Sequence, residues 1–212
     1  MVLPPAVLAN ICDFLEYPEA IRVIKQQPHG FITILPYLQS AHSRLSVINP
    51  YNITRCQQLR CLSLPNSDHL NNQMLTMLPK LEQLTVRSDA QITNQIWSRL
   101  PNLQRLELLP YRARQTNCMP NGAQLAPLTK LELLWVPGQQ ITVRDLVRLP
   151  SLKTLILERS PLSPVILNHL PRLEFCLLNG QLIKYHSSLK NKALLHKITQ
   201  LRPIEIKIYA LD

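Results

Sequence analysis

Residues able to make or break bonds are present in this chain, but they are not grouped for it. The five cysteines are Cys12, Cys56, Cys61, Cys118 and Cys176, an odd number with no C-x-x-C pair. The six histidines stand singly, without the H-E-x-x-H or Cys/His spacing that presents ligands to zinc. No G-x-S-x-G elbow, no phosphate-cradling glycine loop and no carboxylate pair in a recognisable context occurs. The expectation is a protein without metal, cofactor or catalytic activity. What the residues offer instead is recognition. Trp135 and Phe175, with Arg105, Glu107 and Glu158 nearby in the pattern below, are the residue types that anchor protein interfaces.

Those side chains must be positioned by a repeat. Leu149-Pro150-Ser151-Leu152 runs on to Leu155 and Leu157, an L-P-x-L-x-x-L-x-L pattern. Leu78-Pro79-Lys80-Leu81 leads likewise to Leu84 and Val86, and Leu100-Pro101-Asn102-Leu103 to Leu106 and Leu108. Leu128-Thr129-Lys130-Leu131 leads to Leu134 and Val136, and Leu170-Pro171-Arg172-Leu173 to Cys176 and Leu178. Shorter copies occur at Leu59, Leu62, Leu64 and at Leu201, Ile204, Ile206. The starts fall at 59, 81, 103, 131, 152, 173 and 201, giving successive steps of 22, 22, 28, 21, 21 and 28. This period is the leucine-rich-repeat signature.

Each copy reads as a short half-buried strand followed by an apolar return segment, either helix or 3₁₀ turn. Leu70, Met74, Leu75 and Leu78 form one such set, and Ile92, Ile96, Trp97 and Leu100 the next. Stacking aligns the strands into a parallel sheet over one continuous core. The fold class is therefore α/β: a leucine-rich-repeat solenoid of about seven repeats, a parallel concave sheet and a helical N-terminal cap. Residues 109–125, with Pro110, Pro120 and Asn121-Gly122, should leave the slab as a projecting loop. Leu45-Ser46-Val47-Ile48 suits a short strand beside the first repeat. Residues 186–200 should form a helix, and Ile204, Ile206 and Ile208 a last strand.

The third, fifth and seventh positions of each strand face away from the slab. They are Gln83, Thr85 and Arg87; Arg105, Glu107 and Leu109; Leu133, Trp135 and Pro137; Thr154, Ile156 and Glu158; and Phe175, Leu177 and Asn179. Strands about 4.8 Å apart would set Leu133, Trp135, Ile156, Phe175 and Leu177 side by side as one exposed apolar patch. The candidate partner-binding residues are thus Arg87, Arg105, Glu107, Leu133, Trp135, Ile156, Glu158, Phe175 and Leu177. A competing reading folds the C-terminal segment back over the patch and buries it.

Residues 1–45 differ from the repeats, which occupy 46–212. Val7, Leu8, Ile11, Phe14 and Leu15 have helical spacing with Pro5 in the first turn, and a second helix follows Pro18. From Met1 to Gln27 this resembles the opening helices of an F-box. Pro28-His29-Gly30 then stands where a third helix would follow. F-box proteins with leucine-rich repeats are substrate adaptors of cullin-type ubiquitin ligases, and bacterial effectors copying the arrangement are known. The resemblance implies docking of the ligase's adaptor subunit through Leu3, Pro4, Val7, Leu8, Ile11, Phe14 and Leu15, with a target protein on the concave face. The alternative is a scaffold or inhibitor module whose first helices only seal the array.

Composition sets the remaining bounds. With 46% hydrophobic residues the chain can fill a core. No apolar run approaches ~20 residues, so no transmembrane helix is expected. The N-terminus lacks a basic leader, and the cysteines suit a reducing compartment, giving the cytoplasm, or a host cytosol for an effector. The net charge of +10 raises RNA or phosphoinositide binding. Lys and Arg are scattered singly, however, without aromatic interleaving, which favours a solvated face over a nucleic-acid site.

Overall fold

The Leu-Pro-x-Leu tetrad is a turn. In a computed structural model the fourth amide donates to the first carbonyl: Leu81 to Leu78 at 3.2 Å, Leu103 to Leu100 at 3.1 Å, Leu152 to Leu149 at 3.2 Å and Leu173 to Leu170 at 3.1 Å. Proline at the second position supplies the φ that such a turn needs. Leu131 makes the same bond to Leu128 at 3.0 Å without a proline. The structure describes residues 4–7, 40–42, 52–64, 70–87, 91–109, 118–137, 140–186, 194, 196 and 198–199.

Each turn launches a strand. Over the described residues these are β1 (Ser40–His42), β2 (Cys61–Leu64), β3 (Gln83–Arg87), β4 (Arg105–Leu109), β5 (Leu133–Pro137), β6 (Thr154–Glu158), β7 (Phe175–Leu178) and β8 (Gln181–Tyr185). They form one sheet in chain order. Strands β1 to β7 are parallel, and the repeat leucines pair in register: Leu62 with Leu84, Leu84 with Leu106, Leu106 with Leu134, Leu134 with Leu155, Leu155 with Cys176. Just before each strand from β3 to β7, two successive amides donate to one carbonyl of the previous repeat. Lys153 and Thr154 do so to Glu132, both at 2.9 Å. The slab beneath is continuous, and every leading leucine from Leu59 to Leu173 is buried in it. The fold is a leucine-rich-repeat solenoid.

Return segments are short. They are α1 (Asn72–Thr76), α2 (Gly122–Leu125) and α3 (Val143–Val147), with 3₁₀ turns at Ile53–Arg55, Asn94–Arg99 and Pro164–His169. Met74, Leu75, Ile96, Trp97, Leu125 and Leu146 are among their buried residues. Side chains start the helices: Asn71 accepts from the Met74 amide at 3.0 Å, and Asn121 and Gln124 cap each other reciprocally. The projecting loop expected over 109–125 is corrected in its second half. Cys118 and Leu125 are buried and Asn121 opens α2, because the capping pair and two apolar anchors return the chain to the slab. The first half lies outside the described residues.

Glycine at 122 has a local reason. A Cβ there would overlap the Asp145 carboxylate, which accepts from the Thr142 amide at 2.9 Å and hydroxyl at 2.6 Å at the start of α3. Gly122→Ala should push Asp145 off Thr142 and cost about 1 kcal/mol, the magnitude of a lost cap. In an Asp145→Ala background the same change should cost little, a coupling that urea unfolding of the four variants would measure.

Both ends of the sheet depart from expectation. The strand expected at Leu45-Ser46-Val47-Ile48 lies outside the described residues. The strand that meets the first repeat is β1, pairing Ala41 with Leu62, so the sheet begins within the stretch read as helical segment. At the other end β8 runs antiparallel to β7. Asn179 and Gly180 both have positive φ, 52° and 82°, the geometry of a two-residue hairpin turn. The expected strand over Ile204–Ile208 lies outside the described residues.

Candidate interaction face

The strand frame stands as read from sequence. Leu134, Val136, Leu155 and Leu157 belong to the slab, while Leu133, Trp135, Ile156, Phe175 and Leu177 occupy the opposite face. The exposure expected for those five is overturned. Trp135 is 2% exposed and Phe175 0%. They form a second core with Leu182, Leu194 and Ile198. Beyond the Asn179-Gly180 turn the chain doubles back: β8 joins the sheet beside β7, and Leu194 and Ile198 pack on the open face. The competing reading, a fold-back over the patch, is the one observed.

Strand β8 serves both cores. Leu182 joins the second core and Ile183 the slab, as period-two alternation requires. The pairing register shifts between Cys176 and Leu177. The signal missed in the sequence was Asn179-Gly180 ahead of Gln181-Leu182-Ile183-Lys184-Tyr185, the strongest short hairpin pattern there is. Asn179 has a further use, since its side-chain amide accepts from Ser160 N at 2.8 Å and donates to Ser160 O at 2.9 Å.

The charged candidates surround this core. Glu107 is 3% exposed, accepts from the Thr85 hydroxyl at 3.2 Å and pairs with Arg105 at 3.4 Å. Glu158 is buried and accepts from the Trp135 indole at 3.4 Å. Two carboxylates thus flank an aromatic core, a placement that needs such donors. Arg105 keeps 42% of its side chain exposed. The Arg87 side chain lies outside the described residues. Toward the N-terminal strands the face is half-open and polar: Ser63, Gln83, Thr85 and Arg105. A cleft of about 190 Å³ marks the boundary, lined by Arg105, Glu132, Leu133, Lys153, Thr154, Glu174 and Leu194.

Several basic residues are tied into the array along its turn edge. Arg60 meets Glu82 at 2.8 Å and Lys153 meets Glu132 at 3.0 Å. Lys130 donates to Asn102 at 2.8 Å and Arg172 to the Pro150 carbonyl at 3.0 Å. Exposed pairs of this kind contribute ~0–1 kcal/mol each. Of the candidate docking residues, Pro4 and Val7 are exposed. Leu3, Leu8, Ile11, Phe14 and Leu15, and most of the expected cap, lie outside the described residues.

The thiols follow their burial. Cys56, Cys118 and Cys176 are buried and Cys61 is half-buried. Burial pushes the Cys56 thiol up to about 11 and Cys176 up to about 12, the latter against the opposing pull of Lys184. Cys176 packs as the hydrophobe its strand position requires. Iodoacetamide followed by peptide mass mapping should label Cys61 in the native protein and reach Cys56, Cys118 and Cys176 only on unfolding. Because both folded values are raised, the protonated thiols contribute stability that is complete below the ordinary value of 9.0. That contribution is lost as pH rises through 11 and 12. Among the described residues no group of His, Cys, Asp or Glu is placed to hold a metal ion, and no helix is long and apolar enough to cross a membrane.

Comparison with known proteins gives no family name. The chain matches no protein-family profile and no curated protein. Among solved structures it is similar to an internalin of Listeria monocytogenes, with 15% identity, a TM-score of 0.49 and coverage of 85% of this chain and 49% of that one. A leucine-rich-repeat protein of Leptospira interrogans gives 16%, 0.47, 87% and 52%. Internalin C2 of Listeria monocytogenes gives 19%, 0.48, 97% and 93%. The chain spans about half the length of the first two. The leucine-rich-repeat assignment rests on the repeats and the sheet themselves.

Proposed function

We propose that this chain is a protein-recognition module that binds without catalysis, its partner lying on the polar half of the open face over β2 to β4. The observation that carries this is the Arg105 side chain. Its guanidinium reaches solvent while held by a buried carboxylate that is itself tied to Thr85. An arginine fixed in this way loses little freedom on binding and suits a carboxylate of the partner. Arg105→Glu should reverse the local charge and weaken the partner by about thirtyfold, equivalent to ~2 kcal/mol. Quantitative affinity capture from cell extract, with thermal unfolding as the control for folding, tests it. A partner retained equally by both proteins removes the assignment.

The finer reading is an adaptor resembling F-box/leucine-rich-repeat substrate receptors, working in a reducing cytosol, its own or that of a host. Its support is the sequence resemblance from Met1 to Gln27. To this is added Val7, whose 44% exposure suits a docking residue. Co-purification with the adaptor subunit of a cullin-type ligase, abolished by Leu3→Ala with Pro4→Ala at unchanged circular dichroism, is the expected result. If the unmutated chain fails to bind that subunit, the scaffold or inhibitor reading replaces it. Free thiols among the described residues favour the reducing compartment, and basic side chains engaged within the array favour a protein partner over nucleic acid.

A further inference from the structure

We propose that the turn edge carries a second recognition site, an apolar groove between the leading turns of the fifth and sixth repeats. Its occupant is an acidic segment of a protein partner, which seats one large apolar side chain in the groove and a carboxylate on Arg172. The groove lies where α3 and the Leu149–Leu152 turn meet His169 and the Leu170–Leu173 turn, and it shares no lining residue with the open face.

The first observation is the shape and lining. The groove has a volume of about 260 Å³, below the roughly 300–1,000 Å³ of small-molecule sites, so it suits an anchoring side chain better than a whole ligand. Leu149, Leu152 and Leu170 are buried and make its floor, while Val147, Pro150 and Pro171 stand exposed along its walls. The second is the valine itself. Two positions before Leu78, Leu100, Leu128 and Leu170 stand Thr76, Ser98, Ala126 and Asn168, small or polar as a solvent-facing position requires. Before Leu149 stands Val147, 52% exposed. Val165, the other large apolar side chain exposed on the described array, belongs to the neighbouring 3₁₀ turn. An apolar wall at a position otherwise kept small or polar contributes little to this fold, and contributes burial when a partner covers it.

The third is charge. Arg172 and His169 complete the lining, and among the described residues no carboxylate joins them. Arg172 donates to the Pro150 carbonyl at 3.0 Å, which holds its guanidinium across from one turn to the preceding one and engages one of its five N–H donors. Helix α3 adds Arg144 and Arg148, both exposed. Asp145 between them accepts from the Thr142 amide and hydroxyl. Residues 159–173 hold Arg159 and Arg172 and no Asp or Glu. A guanidinium fixed beside an apolar floor suits a carboxylate next to an apolar anchor. A nucleic-acid backbone would use the cations and leave Val147 bare.

The probe is a random peptide library displayed on phage, selected on the full chain with counter-selection on a full-chain Val147→Ser/Arg172→Glu variant. Enriched peptides should carry a Leu, Ile, Phe or Trp flanked by Asp or Glu. A synthetic copy should bind at least ~tenfold more weakly to each single variant. Val147→Ser copies the residue type of Ser98 and should leave thermal unfolding unchanged. Should Arg172→Glu unsettle its turn, Arg172→Gln, which keeps a donor for the Pro150 carbonyl, takes its place. No enrichment, enrichment of basic or uncharged sequences, or peptides held equally by the single variants would overturn the proposal. So would self-association of the unmutated chain in analytical ultracentrifugation that Val147→Ser abolishes, since the groove would then belong to a second copy. Arg105→Glu should leave peptide binding unchanged, so failure here and failure of the open-face reading are told apart.

Discussion

Trp97→Ala should lower the free energy of unfolding by about 3–5 kcal/mol, the cost of emptying a large aromatic site in a packed core. Trp97 is 0% exposed, and the 3₁₀ turn that carries it packs between α1 and α2. Its indole donates to the Cys118 carbonyl at 2.7 Å. This contact lies where the repeat interval widens, between the leading leucines Leu103 and Leu131. The ring and this bond together anchor the returning chain at that wider interval. Trp97→Phe separates the two contributions. It keeps most of the apolar volume and removes the donor, so it should recover most of the loss and leave a deficit of about 1 kcal/mol. Urea unfolding followed by circular dichroism would report both, in one transition each, because the slab is continuous on either side.

Trp135→Ala should also be costly, about 3–5 kcal/mol, and this reverses the expectation from sequence alone. A tryptophan standing on an exposed face would contribute to binding and little to stability. Here the ring is buried beneath Leu182, Leu194 and Ile198 and donates to Glu158. The neighbouring Leu134→Ala should cost about 2–5 kcal/mol through a cavity in the slab, so size of effect does not tell the two faces apart. Location does. Trp135→Ala should speed hydrogen exchange at the Leu194 and Ile198 amides under conditions where the repeats remain folded. Leu134→Ala should weaken the whole array together. Equal exchange of those amides in the two variants would place Trp135 and Leu134 in one cooperative core.

The contrast shows what a repeat pattern encodes. The strands β2 to β7, the slab leucines and the side of the sheet each of their residues takes were legible, because they follow from contacts between successive repeats spaced by a fixed period. The return segments were legible as apolar sets, though not as helix or 3₁₀ turn, a choice made by caps such as Asn71 and Asn121. What the pattern hid was the fold-back. Leu201, Ile204 and Ile206 match the repeat, so residues 181–200 read as one more return segment. The Asn179-Gly180 turn carried the opposite message in two positions. Burial of Trp135 is a contact between the sheet and a segment much later in the chain, around Leu194 and Ile198, and no local periodicity specifies it. The apolar residues on the open face were a genuine signal of coverage; the covering element belonged to the same chain.

The antiparallel pairing of β7 with β8 bears on how such an array can change its length. From Leu134 to Leu155 to Cys176 the strands step by one repeat at a time, with the same register and the same two-amide link to the previous carbonyl. Each unit contacts chiefly its neighbours, so a gene duplication of one unit between β5 and β7 inherits every contact it needs. A unit copied after β7 does not. It would have to part β7 from β8, whose backbone runs antiparallel to it. The hairpin therefore makes the interior the part of this protein open to growth by duplication.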